Sequence, residues 1–182
     1  VNLALGASCT HAITSSGRWF AFGSSNDGLL GLGSTTSTSP TPTEVKLDGS
    51  ETIQTISIGE KHAVAVSNQG RAYTWGRFEH GISPASEGAR TSLSSPQTVK
   101  FTDVVTSKTS TLEKAIIRHI GQEDTSNDTS SNHDASNDGV VCAHAGRDLS
   151  VFVMESGSVL TCGKKSGRLG QGDVSMDVHS PR

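Results

Sequence analysis

Two short motifs in the chain carry side chains that could do chemistry. The run Gly-Lys-Lys-Ser at residues 163–166 is similar to the end of a phosphate-binding loop, but its upstream glycine lies at the wrong distance. Cys142 and His144 share one strand face, yet the sequence offers them no third or fourth metal ligand. The other histidines are scattered, and no Ser/His/Asp triad can be argued from their order. The sequence therefore predicts no catalytic, cofactor-binding or metal site, and we expect a protein that is not an enzyme.

Composition and charge narrow the classes of partner. The formal net charge is −3, so the chain lacks the basic surface that a nucleic-acid backbone requires, and direct nucleic-acid binding is not expected. The sequence contains no secretory signal and no long apolar run, so we expect no contact with a membrane. Its three cysteines contain no C-x-x-C pair, which is typical of buried thiols in an intracellular protein. The sequence does not distinguish the cytoplasm, the nucleus and an organelle as the location of the protein.

The elements that would position any site are indicated by nine glycines that recur in three sets. Within each set the second glycine follows the first by eleven residues and the third follows the second by six. A fixed spacing of this kind means that one small structural unit is built three times. The sets are Gly6, Gly17 and Gly23; Gly59, Gly70 and Gly76; and Gly146, Gly157 and Gly163.

Each set of glycines is embedded in a strand–turn–strand pattern. In the second unit the apolar run at 63–66 is followed by a polar turn at 67–70 and a second run at 71–76. Short apolar runs separated by a turn that ends in glycine predict a β-hairpin. The turn glycine supplies a positive φ, and the first glycine of each set follows a strand, where a bulge or a close backbone contact would require it.

A glycine–leucine segment follows two of the three units. Residues 27–33 read Asp-Gly-Leu-Leu-Gly-Leu-Gly, and residues 167–172 read Gly-Arg-Leu-Gly-Gln-Gly. A proline follows nine residues after each segment, at Pro42 and Pro181. The second unit keeps Gly81 but has no leucine–glycine pair, so we interpret it as a degenerate copy.

These motifs resemble the repeats of the RCC1 (regulator of chromosome condensation) family. The resemblance is carried by the run from Gly59 through His62 to Gly76, by the glycine–leucine segments and by the prolines that follow. It implies a seven-bladed β-propeller with one four-stranded blade per repeat. We therefore predict an all-β fold with about three blades of such a ring and one long insertion. Cys9 and Leu149 stand where the second unit has His62, which favours a packing role for this position.

We divide the chain into four segments on the basis of the repeat. They are a first unit (1–58), a second, degenerate unit (59–101), an insertion (102–139) and a third, truncated unit (140–182). Because propellers generally need four to eight blades to close, we expect the ring to be completed by something outside these three units.

The insertion is the feature most specific to this chain. Residues 111–120 could form a short helix with an apolar stripe made by Leu112, Ile116 and Ile120, which would be a candidate contact for a partner. A strand at 116–121 is the competing interpretation. The tract 122–138 contains five acidic residues and no Lys or Arg, a composition that predicts a disordered loop.

Two classes of function follow from the resemblance. A propeller presents rigid blades and variable loops, which suits a non-catalytic scaffold that binds other protein subunits in a larger assembly. The alternative is guanine-nucleotide exchange on a small Ran-like GTPase, the activity best known for this family. No residue of the family's exchange loops can be matched here, so none is assigned. Such repeats also accompany other domains, such as ubiquitin ligases or kinases.

Overall fold

The computed structural model describes residues 2–25, 27–33, 36–47, 50–78, 92–99, 101, 138–164, 169–171 and 181. Within these ranges the secondary structure consists of eleven strands in three antiparallel sheets, which confirms the predicted all-β fold. No helix in the described ranges is long and apolar enough to cross a bilayer. The predicted helix at 111–120 and its stripe, and nearly all of the acidic tract, lie outside the described residues.

The strands of each sheet follow one another in chain order. Sheet 1 contains β1 (Asn2–Leu5), β2 (Cys9–Ile13), β3 (Trp19–Ser24) and β4 (Thr38–Glu44). Sheet 2 contains β5 (Ile53–Ile58), β6 (His62–Ser67), β7 (Ala72–Arg77) and β8 (Ser92–Thr98). Sheet 3 contains β9 (Val140–Ala145), β10 (Leu149–Met154) and β11 (Val159–Gly163).

The boundary between sheets 1 and 2 lies a few residues earlier than the predicted boundary between the first two units. The first unit was predicted to end at residue 58, whereas residues 53–58 form β5, which pairs with β6 in sheet 2. The physical reason is that a strand belongs to the sheet in which it pairs, and the strand that precedes Gly59 pairs with β6 of sheet 2.

The same turn bonds recur in all three sheets. The N–H groups of Gly6, Gly59 and Gly146 each donate to the carbonyl three residues ahead, at 2.8 Å in every case. Gly70 has φ +73° and its N–H donates to the carbonyl of Ser67 at 3.1 Å, which closes the β6–β7 hairpin. Left-handed backbone of this kind is readily adopted by glycine and strained for other residues.

The outermost strands of sheets 1 and 2 are polar. The sequences of β4 (TSPTPTE) and β8 (SLSSPQT) contain Ser, Thr and Pro, and most of their side chains are exposed. Proline is tolerated at the edge of a sheet, where one row of N–H groups faces water. These strands therefore complete the sheets by backbone pairing and add little to the core.

Two apolar clusters hold the sheets together. The first fills the space between sheets 1 and 2, and the second the space between sheets 2 and 3. Buried members of the first cluster include Ile13, Trp19, Leu30, Tyr73 and Trp75. Those of the second include Val64, Val66, Val140, Phe152 and Cys162.

A buried polar network crosses the first of these interfaces. The indole N–H of Trp19 donates to Nδ1 of His11 at 2.9 Å, and Nε2 of His11 lies 2.8 Å from the carbonyl oxygen of Leu29. The same oxygen accepts the indole N–H of Trp75 from sheet 2 at 2.8 Å. Because Nδ1 accepts a hydrogen bond from Trp19, Nε2 must carry the hydrogen of the neutral imidazole, and it donates a hydrogen bond to the carbonyl of Leu29.

The environment of His11 keeps its imidazole neutral. The side chain is completely buried, and burial lowers the pKa of His11 to about 4, although its backbone hydrogen bond with Leu29 acts in the opposite direction. A second proton would have to be placed on Nδ1, where it would face the N–H of Trp19. Protonation therefore opposes the contact between sheets 1 and 2.

Replacing Gly70 by valine should lower the free energy of unfolding by at least about 2 kcal/mol, because a β-branched residue would be held at positive φ. The new Cβ would also lie 3.0 Å from the Cα of Gly139. Urea denaturation measures the effect. Gly157→Val is the matched control, since Gly157 has φ +83° but open space around it. The free energy of unfolding of this variant should fall by less. An unchanged unfolding midpoint for Gly70→Val would contradict this account.

Acid should destabilise the protein between about pH 6.5 and pH 4, and His11 is one of two buried histidines, with His62, whose lowered pKa produces this effect. In that window the unfolded chain binds a proton at His11 and the folded chain does not, so stability falls as pH falls. The loss due to His11 approaches about 3 kcal/mol and stops near pH 4, where this residue is protonated in both states. Urea denaturation at several pH values measures it. His11→Gln should reduce both the stability at pH 7.5 and the slope below pH 6.5; an unaltered slope would contradict the assignment.

Candidate functional site

Loops at one end of the three sheets form a repeated backbone frame. The loop between the first two strands of each sheet is bonded to the end of the third strand. Ser24 donates its N–H to the carbonyl of Ser8 at 2.8 Å, and Arg77 donates to that of Lys61 at 2.7 Å. In sheet 3 the N–H of Lys164 donates to the carbonyl of Asp148 at 2.8 Å. The frame therefore holds the corresponding loop residues of the three sheets at corresponding positions relative to their strands.

The side chains on this frame differ from sheet to sheet. Sheet 1 presents small neutral residues, whereas sheets 2 and 3 present charges. We define the charged loop surface as Glu60, Lys61, Arg77, Arg147, Asp148 and Lys164. Four of these six residues are cationic and two are acidic, so the surface is net positive on a chain whose net charge is −3.

Ion pairs link the charged loop surface across the sheets. The guanidinium of Arg147 lies 3.1 Å from Glu60 of sheet 2 and 3.8 Å from Asp148. Arg77 lies 3.5 Å from Asp27, which belongs to the loop that follows β3. All three pairs are solvent-exposed, so each one contributes little to stability.

A small cleft lies beneath the charged loop surface, at the junction of sheets 2 and 3. His62, Phe78, Ser150 and Cys162 are among its lining residues, and its volume of about 20 Å³ has room for a single water. Nε2 of His62 lies 2.9 Å from Oγ of Ser150, and the ring of His62 packs against Phe78 with centroids 5.4 Å apart.

The titratable groups of this cleft are held neutral. Burial lowers the pKa of His62 to about 4, outweighing a backbone hydrogen bond with Leu149 and the charge of Asp148. Burial also raises the pKa of the Cys162 thiol to about 12, against hydrogen bonds with Ser150. A neutral imidazole and a protonated thiol in a water-sized space make this a packing contact rather than a nucleophilic centre.

The other sequence candidates are placed as follows. Cys142 and His144 lie on β9, and among the described residues no three His, Cys, Asp or Glu side chains converge as metal ligands. Gly163 ends β11 and Lys164 belongs to the charged loop surface, while Lys165 and Ser166 lie outside the described residues. The candidate partner contacts Leu112, Ile116 and Ile120 also lie outside them and stay a prediction.

The repeat glycines hold the backbone of the frame. Six of the nine have positive φ: Gly17, Gly23, Gly70, Gly76, Gly157 and Gly163. Gly6, Gly59 and Gly146 do not, and they lie where space is tight; a Cβ on Gly59 would collide with the carbonyl oxygen of Gly146. The sequence did not reveal the charged loop surface, since its members lie in separate units and only the fold brings them together.

Sequence comparisons identify the repeat. The profile described as "Regulator of chromosome condensation (RCC1) repeat" matches residues 16–66, and a second profile of the same description matches residues 53–82. The human E3 ubiquitin-protein ligase HERC2 is 30% identical over 83 residues, a stretch that is 44% of this chain and 2% of HERC2. The chain thus matches only a small part of this relative.

Solved structures share the fold. Human WBSCR16 superimposes with a TM-score of 0.72 at 20% identity, covering 100% of this chain and 37% of that one. Prp20p from Saccharomyces cerevisiae, described with its binding to Gsp1p and histones, gives 0.68 at 18% identity, covering 99% and 37%. The three sheets therefore correspond to part of an RCC1-type β-propeller, and the chain spans little more than a third of these proteins.

The three cysteines should differ in reactivity toward iodoacetamide at pH 8. Cys142 is half-buried and should be alkylated first, whereas Cys9 and Cys162 are buried and their thiols have raised pKa values. Mass spectrometry of the folded protein would record a single adduct at early times, and denaturation in urea should expose all three thiols. Early labelling of Cys162 in the folded protein would contradict the description of the cleft.

Proposed function

The chain is an RCC1-like repeat protein, and from that premise we propose that it is a non-catalytic β-propeller scaffold that binds protein partners within a larger assembly. We further propose that the charged loop surface is where a partner binds. Its net positive charge suits an acidic surface on that partner.

The observation that carries this proposal is the combination of a constant frame with variable side chains. The loop-closing backbone bonds have nearly the same length in all three sheets, between 2.7 and 2.8 Å. On that frame Ser8 of sheet 1 is replaced by Lys61 in sheet 2 and by Asp148 in sheet 3. Loops of different chemistry held on a rigid scaffold are the usual arrangement of a binding surface.

The chemistry of the described cleft supports a function without catalysis. His62 and Ser150 form the one His–Ser pair in the cleft, and both side chains are buried in a space that admits no substrate. The three unpaired cysteines support an intracellular setting, in which thiols are kept reduced.

A guanine-nucleotide exchange factor for a small Ran-like GTPase is the second candidate. The observation that favours it is the structural likeness to Prp20p, which is described with its binding to the GTPase Gsp1p. Exchange requires no covalent chemistry, because binding that opens the nucleotide site is sufficient to release GDP. A sequence identity of 18% supports only a shared fold, so nucleotide exchange stays the second candidate function.

One pair of measurements separates the two functions. Release of fluorescent GDP from a panel of small GTPases should be unaffected by the chain at micromolar concentration, while the tagged chain should co-purify with a defined set of proteins. Acceleration of GDP release would replace the scaffold proposal by the exchange proposal.

Charge reversal locates the binding surface. The double variant Arg77→Glu/Arg147→Glu should lower affinity for each co-purified partner at least about tenfold, because complementary charges become repulsive. The matched control is Arg18→Glu, since Arg18 is similarly exposed and also pairs with a glutamate, Glu44, but lies in the β2–β3 turn region of sheet 1. Equal losses for the control and the double variant would contradict the assigned surface.

A further inference from the structure

Every proline in the chain follows a residue that carries a hydroxyl group. The five Ser-Pro and Thr-Pro pairs are at residues 39–40, 41–42, 83–84, 95–96 and 180–181. A serine or threonine followed by proline is the pattern that proline-directed protein kinases select. A kinase also requires a hydroxyl that its active site can reach, and the structure separates the pairs on that ground. Ser83 and Ser180 lie outside the described residues.

Ser95 is exposed on β8, the outermost strand of sheet 2. It is exposed although sheet 1 packs against the same segment of the strand. The N–H of Gly33 donates to the carbonyl of Ser94 at 2.9 Å, and a Cβ on Gly31 would lie 3.5 Å from Cδ of Pro96. Ser95 therefore stays open to solvent with the adjacent sheet in its place.

A shift in strand register makes β8 bulge at Ser95. The pairing of β7 with β8 shifts between Thr74 and Gly76, so residues 94–96 lie opposite a single residue of β7. A bulge interrupts the ladder locally and turns side chains away from it. The hydroxyl of Ser95 accepts a hydrogen bond from the exposed amide of Gln97 at 3.4 Å, and this bond leaves the proton of the hydroxyl free for transfer.

Pro96 gives the segment the local conformation that a kinase binds. A proline restricts the residue before it to extended backbone, and it has no N–H for which the kinase must provide an acceptor. Protein kinases bind the acceptor segment in an extended form, with the hydroxyl close to a catalytic aspartate. Among the described strands β8 pairs with β7 alone, so its outer edge is open to a kinase.

Sheet 1 repeats this arrangement at Thr41. The pairing of β3 with β4 shifts between Ala21 and Gly23, which leaves residues 40–42 opposite a single residue of β3. Thr41 and the prolines on both sides of it are exposed. Thr41 is therefore the register equivalent of Ser95, and each of the two is followed by a proline.

Ser39 shows that the sequence pattern alone does not make an acceptor. It precedes Pro40, yet it is only 5% exposed. Its hydroxyl donates to the carbonyl of Thr41 at 2.9 Å, and it lies 2.7 Å from the hydroxyl of Thr43. The bulge thus turns Thr41 outward and holds Ser39 inward.

We propose that Ser95 and Thr41 are phosphorylation sites of a proline-directed serine/threonine kinase that uses Mg·ATP. The hydroxyl oxygen forms a bond to the γ-phosphorus, the bond from that phosphorus to the bridging β–γ oxygen breaks, and ADP leaves. The hydroxyl proton passes to the catalytic aspartate of the kinase. Each phosphate adds about −1.5 to −2 charges at pH 7 to the outer edge of its sheet. This inference does not rest on the proposed function, because it requires only an exposed acceptor.

Incubation of the folded chain with a purified mitogen-activated protein kinase and Mg·ATP tests the proposal. Mass spectrometry of proteolytic peptides should locate phosphate on Ser95 and on Thr41. Two residues are internal controls: Thr98 is exposed on β8 but is followed by valine, and Ser39 precedes a proline but is buried. Both should be modified at least about tenfold more slowly, because each lacks one of the two requirements.

Replacing each proline separates the sequence requirement from exposure. Pro96→Ala should slow modification of Ser95 at least about tenfold and leave that of Thr41 unchanged, whereas Pro42→Ala should do the reverse. Pro42 is exposed, so its variant should keep its fold even if loss of the contact between Pro96 and Gly31 destabilises the other. Circular dichroism and thermal melting would verify the fold of both variants.

Three results would overturn the proposal. The first is a folded chain in which Ser95 or Thr41 stays unmodified while the same kinase phosphorylates a standard peptide substrate to completion. The second is modification of Thr98 as fast as that of Ser95, which would show that exposure alone decides. The third is an unchanged rate at Thr41 in folded Pro42→Ala, which would show that the proline does not direct the kinase.

Discussion

The carbonyl oxygen of Leu29 is the point on which the contact between sheets 1 and 2 depends. It accepts N–H groups from His11 of sheet 1 and Trp75 of sheet 2, so one oxygen with two lone pairs joins two sheets. Trp19 completes the network by donating to the second nitrogen of His11. Every hydrogen-bonding group of this network is paired and buried. Moving one sheet relative to the other would therefore leave polar groups unpaired, at a cost of about 1–3 kcal/mol each.

The junction between sheets 2 and 3 is held together by different chemistry. His62 bonds to the hydroxyl of Ser150, and the hydroxyl of Ser57 accepts the N–H of Ala145. Valines and Phe152 are buried at this junction, whereas Trp19 and Trp75 are buried at the first one. The position of a blade is therefore fixed by the strand register and the glycine contacts, whereas the polar links between blades can be exchanged as long as each one is complete.

Much of the hairpin architecture could be predicted from the sequence, because it depends on local patterns. The spacing from Gly59 to Gly76 encodes two strands and a turn within 18 residues. The outer strands β4 and β8 could not be predicted in the same way, since exposed strands carry no apolar alternation. The His11 network could not be predicted, because its residues are separated by up to 64 positions (residues 11 and 75). Composition does not reveal which N–H group donates to which carbonyl.

The backbone frame also explains how the charged loop surface could bind a partner without a large entropic cost. The loop between β5 and β6 has three residues, Gly59, Glu60 and Lys61, and backbone bonds hold it at Gly59 and at Lys61. Little backbone freedom remains to be lost when a partner binds, so the cost falls mainly on the long charged side chains. A substitution at Lys61 or Arg147 then changes the chemistry of the surface without changing the path of the chain.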